Sequence, residues 1–166
     1  MSQTINVPAW PSPIFALGNA DILSLPKTAF LCSRRVPAGA ILEIYKWAQQ
    51  VRTDGVCVLS GFHSVLERDV LKILLAGKQP LILAAARGLP KRLPPELDTA
   101  LTAKRLLILS PFAANIARPS AKRAECRNSL MLQLAERVII GHAAPNGQLS
   151  ALLAEMPPTK NITFLG

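Results

Sequence analysis

With 166 residues, half of them hydrophobic and 17% charged, the chain is long enough for one domain with a sizeable core and too apolar to be disordered. A net charge of +9 directs the search for partners toward polyanions, while an aromatic content of 5% argues against base-stacking platforms of the RRM or OB type. The longest apolar runs fall well short of the roughly 18 residues of a membrane span, and Met1 to Phe15 lacks a basic region followed by an apolar one, so a cytoplasmic protein without membrane contact is expected.

Residues 1–27 carry Pro8, Pro11, Pro13 and Pro26 without sustained periodicity and read as a proline-rich arm packed on a domain formed by residues 28–166. Thr28 to Ser33 is a short apolar strand. After Pro37 the positions Ile41, Leu42, Ile44, Tyr45, Ala48 and Val51 mark an amphipathic helix that Gly55 stops. A strand over Val56–Ser60, a helix from Ser64 to Leu75 and a strand over Pro80–Ala85 follow. Arg87 to Glu96 is a proline-broken loop, Leu97 to Ala103 a short helix and Arg105 to Ser110 another strand. Ala121 to Glu136 reads as a helix, Arg137 to Gly141 as a buried strand, Gln148 to Glu155 as a last helix and Asn161 to Leu165 as a closing strand. Strands alternating with helices at this pitch predict a single-domain, Rossmann-like α/β fold: a doubly wound, mostly parallel sheet with helices on both faces.

In such a sheet, ligands bind outside the carboxyl ends of the strands, near the point where strand order reverses. Three turns are expected to converge there: Ser33-Arg34, Ser60-Gly61-Phe62-His63-Ser64 and Asn146-Gly147-Gln148. Each joins a small or flexible residue to a hydrogen-bond donor, which suits phosphate, although any one alone is an ordinary strand-to-helix connection. Arg127 and Asn128 lie on a helix with Lys122 and Arg123 close by. Arg127 borders the apolar stripe, where its planar fork, turned to the sheet edge, would clamp a phosphate; the alternative is a solvated basic face. The candidate phosphate- or nucleic-acid-binding residues are thus Ser33, Arg34, Ser60, Gly61, His63, Ser64, Arg127, Asn128, Gly147 and Gln148. Lys91, Arg92, Lys104 and Arg105 read as surface charge.

Catalysis has little support. His63 is adjacent to Ser60 and Ser64, but proximity in sequence fixes no geometry, and Glu67 with Arg68 reads as a pair facing water. Neither a Walker lysine motif nor G-x-G-x-x-G is present. Cys32, Cys57 and Cys126 show no Cys-x-x-Cys spacing and read as core residues of a reduced protein; His63 and His142 are too few and too far apart for zinc. No catalytic residue, metal or cofactor is assigned.

The order of these motifs resembles the Rossmann-like domain of the DNA-processing protein A (DprA/Smf) family. Cys32-Ser33-Arg34 stands where that family has Gly-Ser-Arg, and Ser60 to Glu67 resembles its Ser-Gly-x-x-x-Gly-Ile-Asp turn, without the second glycine and the Ile-Asp pair. Gly88 to Glu96 resembles its Gly-Leu-x-x-x-Tyr-Pro-Pro-Glu loop, Arg127-Asn128 its Arg-Asn helix, and Asn146 to Leu149 its Ser-Gly-Ser-Leu turn. The resemblance implies a domain that binds single-stranded DNA, in a family linked to natural transformation by loading recombinase onto incoming DNA, and it leaves a homodimer open. A neighbouring family of the same fold, the lysine-decarboxylase-like proteins that release bases from nucleoside monophosphates, is resembled in the spacing of Arg127 and Met131. Its catalytic-glutamate motif reduces here to Pro145 through Leu149 without the glutamate. The expectation is binding of single-stranded DNA or a phosphorylated nucleotide at the carboxyl edge of the sheet, without turnover; the alternatives are a nucleoside-monophosphate phosphoribohydrolase and a small-nucleotide sensor.

Overall fold

A computed structural model describes residues 2–166. Its centre is one eight-stranded sheet in the order β1-β2-β6-β5-β4-β3-β7-β8. The strands are β1 (Ser2–Ile5), β2 (Ile14–Gly18), β3 (Lys27–Leu31), β4 (Cys57–Ser60), β5 (Leu81–Ala84), β6 (Leu106–Ser110), β7 (Arg137–Ile140) and β8 (Ile162–Phe164). From β6 to β8 every pairing is parallel, and helices α1 (Ala38–Asp54), α2 (Val65–Leu75), α3 (Pro95–Thr102), α4 (Ala121–Leu134) and α5 (Gln148–Ala154) supply the crossovers.

Central strands such as β4 and β6 are buried along their whole length because both faces are covered, which explains their continuous apolar runs. Leu59, Ile82, Leu107 and Val138 point to the layer of α4 and α5, whereas Val58, Leu81, Ile108 and Ile139 meet α1, α2 and α3. Alternate side chains of one strand therefore feed two cores. Strands β3 to β6 are added in one direction and β7 then pairs on the other side of β3, so strand order reverses between β3 and β7. That crevice is where the fold provides room for a ligand.

The amino-terminal stretch departs from the arm expected over residues 1–27. Within the described residues it forms a hairpin, β1 and β2, and β2 extends the sheet by pairing antiparallel to β6, with Phe15 opposite Ser110. The prolines that hid it, Pro8, Pro11 and Pro13, all fall between the two strands and remove no ladder donor. Ile14 and Ala16 are fully buried, a two-residue alternation too short to register as a period. Gly18 closes β2 at φ 109°, and a Cβ there would sit 2.3 Å from the Leu106 carbonyl oxygen, so only glycine fits.

A buried lysine fastens the amino end of β3. The Lys27 ammonium donates to the Leu23 and Leu25 carbonyls at 2.9 Å and to Glu136 Oε1 at 3.1 Å, and the Lys27 backbone N–H donates to the other Glu136 oxygen. Burial alone would raise the Glu136 carboxyl, but the Lys27 N–H and ammonium hold it below its ordinary value of 4.5. A depressed folded-state pKa contributes stability above the unfolded value that is lost as pH falls through the folded one. The stability gap between the wild type and Glu136→Gln should therefore be constant from pH 7 to about 5 and close on acidification below the ordinary carboxyl range. Thermal melts of both proteins across that interval measure it; a gap that does not change with pH contradicts the assignment.

Candidate functional site

At the β3/β7 crevice the loops leaving the sheet enclose a cavity of about 540 Å³. Of the ten residues singled out from the sequence, Ser33, Arg34, His63, Ser64, Arg127, Asn128, Gly147 and Gln148 line it. Ser60 and Gly61 do not line it. The Ser60 side chain is fully buried and its hydroxyl accepts the Phe62 backbone N–H at 3.2 Å, which stabilises the turn itself. Phe62 there adopts φ 47°, a left-handed conformation uncommon for a non-glycine residue, with its ring buried.

Gly61 acts through Arg127. A Cβ on Gly61 would lie 2.1 Å from Nη1 of Arg127 and 2.5 Å from its Cζ, so the guanidinium rests directly on the glycine backbone. Arg127 is 6% exposed. Its Nε donates to Asn128 Oδ1 at 2.8 Å and its Nη1 to the Ala84 carbonyl at 3.3 Å. A guanidinium carries five N–H donors. The remainder find no acceptor among the described residues, and no carboxylate lies within ion-pair distance. Burial pushes the Arg127 pKa down from its ordinary value and the negative charge of Glu67 offsets part of that, but an arginine stays charged in either case. Its remaining donors border the cavity, where water or an anion can accept them.

The loops are tied into this geometry. Ser33 donates its backbone N–H to the His142 carbonyl at 2.8 Å, and its hydroxyl accepts the Ala144 N–H at 2.8 Å, joining the ends of β3 and β7. Asn146 adopts φ 60° and lets the chain turn into Gly147 at the start of α5. The first turn of α4 adds Ser120, Ala121 and Ala124 to the wall, and Leu31, Ala86 and Leu149 make part of it apolar.

One member of the site runs against the sequence reading. Glu67, expected to face water, is only 8% exposed. Its Oε1 accepts the backbone N–H groups of His63 at 2.9 Å and Ser64 at 3.1 Å, and its Oε2 accepts the Cys32 N–H at 3.3 Å. Ser64 Oγ in turn accepts the Glu67 N–H, completing a capping box. Ser64-x-x-Glu67 was a legible signal for this. The backbone donors that a phosphate would use in that turn are thus already held by the protein's own carboxylate. Neither Ser60 nor Ser64 is hydrogen-bonded to the His63 ring, and burial together with Glu67 raises the Cys32 thiol to about 12. The cavity therefore presents binding groups rather than an activated nucleophile.

The second basic group divides. Lys91, Arg92 and Lys104 are exposed, as expected. Arg105 instead wraps the end of α2, donating to the Leu74, Leu75, Gly77 and Gln79 carbonyls at 2.7–3.0 Å. Among the described residues there is no cluster of three His, Cys, Asp or Glu that could hold a metal, and no helix is long and apolar enough to cross a membrane.

Residues 2–155 match the family described as DNA recombination-mediator protein A. The fold superposes on the DNA processing protein A from Helicobacter pylori, described for its single-stranded DNA binding mode, with a TM-score of 0.78 at 19% identity, over 98% of this chain and 80% of that one. It superposes on the DNA processing protein A of Streptococcus pneumoniae with a TM-score of 0.75 at 18% identity, over 99% of this chain, which spans 62% of that protein. A molybdenum cofactor binding protein from Rippkaea orientalis is similar at TM-score 0.56 and 12% identity, over 84% of this chain and 75% of that one. At these identities the likeness establishes the fold. No curated protein sequence matches the chain.

The contact between Gly61 and Arg127 makes a specific prediction. In Gly61→Ala the new methyl group displaces the guanidinium, so anion binding at the cavity should weaken at least about tenfold and folding stability fall by about 1–3 kcal/mol. Isothermal titration with inorganic phosphate and a thermal melt measure the two; unchanged phosphate binding in the folded variant contradicts the placement of Arg127.

Proposed function

We propose that this chain, which belongs to the DNA recombination-mediator protein A family, binds single-stranded DNA along the carboxyl edge of its sheet and seats one phosphate on Arg127. The observation that carries this reading is the buried guanidinium whose open donors border the cavity. Asn128 orients it, Ser33, Ser64 and His63 line the approach, and Gly147 and Gln148 close the rim. Arg34 and Arg35 are exposed beside the cavity. Arg87, Lys91 and Arg92 follow β5, and Arg118 and Lys122 lie between β6 and the first turn of α4, so exposed positive charge continues along the same edge. Such a track attracts a polyanion by releasing its counterions. A role in DNA uptake or recombination follows from the family.

A small phosphorylated nucleotide is the second reading, favoured by one observation: the cavity has the volume of a small-ligand site and a partly apolar wall that a base or sugar would cover.

Fluorescence anisotropy with a labelled oligo(dT) tests the first. Affinity should fall steeply between 50 and 200 mM salt, in the manner of phosphate contacts. Arg127→Ala should weaken binding about tenfold or more, and Arg127→Lys, which keeps the charge but loses the fork, should fall between. Lys78→Ala, exposed in the loop that enters β5 at the far edge of the sheet, should bind as the wild type does. Absence of binding at low salt, or equal damage from Lys78→Ala and Arg127→Ala, rejects the proposal.

A further inference from the structure

The cavity contains a second buried charge, of opposite sign. The Glu67 carboxylate lines it while accepting N–H groups from His63, Ser64 and Cys32, and no lysine, arginine or histidine nitrogen lies within ion-pair distance of it among the described residues. Three neutral donors hold the carboxylate in place without cancelling its charge. It reaches the cavity from the first turn of α2, and Arg127 reaches it from α4. With Arg127 at 6% and Glu67 at 8% exposure, neither charge is free to leave.

We propose that Glu67 makes this cavity selective for a singly charged phosphodiester over a doubly charged phosphomonoester, and so for an internal phosphate of a DNA strand over a free nucleoside monophosphate. The inference rests on the reading of the cavity as a phosphate site and decides between its two candidate ligands. Guanidinium and carboxylate together leave the buried site without net charge. A phosphodiester that touches the guanidinium brings the site to a single net negative charge. A phosphomonoester is close to doubly charged at neutral pH, and its second charge has only the carboxylate to meet. Repulsion between buried like charges is felt at a low effective dielectric, where it is several times stronger than in water. Arg34 and Arg35 at the mouth are exposed, so solvent and salt screen their compensating attraction.

The test is a competition assay on the full chain, in which two ligands with one phosphate each displace a labelled oligo(dT). The dinucleoside monophosphate TpT has one phosphodiester, and thymidine 3′-monophosphate has one phosphomonoester. The wild type should release the probe at about a tenfold lower concentration of TpT. In Glu67→Gln, whose amide oxygen can still accept the His63 and Ser64 N–H groups, the difference should shrink to about twofold or less through tighter binding of the monophosphate. If Glu67→Gln does not fold, the wild-type comparison decides alone. The inference is overturned if the monophosphate competes as well as TpT or better, if the difference persists in a folded Glu67→Gln, or if neither ligand displaces the probe. These outcomes are separable from failure of the site itself: oligo(dT) binding that is absent, or indifferent to Arg127→Ala, removes the phosphate site. Binding that needs Arg127 but ignores ligand charge removes only the role of Glu67.

Discussion

The site depends on one contact, the guanidinium of Arg127 lying against the backbone of Gly61. Burying an arginine costs several kcal/mol unless its donors and charge are answered. Here Asn128 and the Ala84 carbonyl satisfy part of the fork and no carboxylate pairs with it, so the remaining donors are left to the cavity and whatever fills it. Glycine is needed where it stands because any side chain would occupy the guanidinium's place. The strand-to-helix turn is therefore shaped around Arg127 as much as around a ligand.

The sheet explains why the other groups gather at that point. Strand order reverses between β3 and β7, which separates the helices that follow them and leaves the crevice that the loops then line. Ser33 links the two loops through its own backbone and hydroxyl, fixing the separation of the walls. Glu67 does the equivalent for the β4–α2 turn, so a negative charge becomes part of the wall. The positive groups fall into two kinds: Arg127 buried and fixed, and the arginines and lysines of the rim, solvated and adaptable. On the proposed function, long-range attraction falls to the second kind and discrimination to the first.

Much of the architecture could be read from the residues because both faces of the parallel strands are covered. The runs Val56 to Leu59 and Leu106 to Leu109 had to be apolar throughout, and α1 carried a clear period and a Gly55 stop. The convergence of the Ser33, His63-Ser64 and Gly147 turns was expected because each leaves the carboxyl end of a parallel strand. What escaped was decided by contacts distant in sequence. The alternation of Ile14 and Ala16 acquires meaning only beside β6, and Arg105 turns inward because α2 ends with carbonyls that need donors. Glu67 was legible as a capping residue, but its burial depends on Cys32, 35 positions away. Gly61 was singled out as a phosphate cradle, and the structure places it instead beneath the guanidinium of Arg127.

The most direct measurement is a crystal structure of the full chain with bound oligo(dT). The account predicts a phosphate oxygen within hydrogen-bonding distance of the terminal nitrogens of Arg127, with the strand running over the loops that follow β3, β5 and β6. An oligonucleotide held on another face, with no phosphate at that guanidinium, would contradict it.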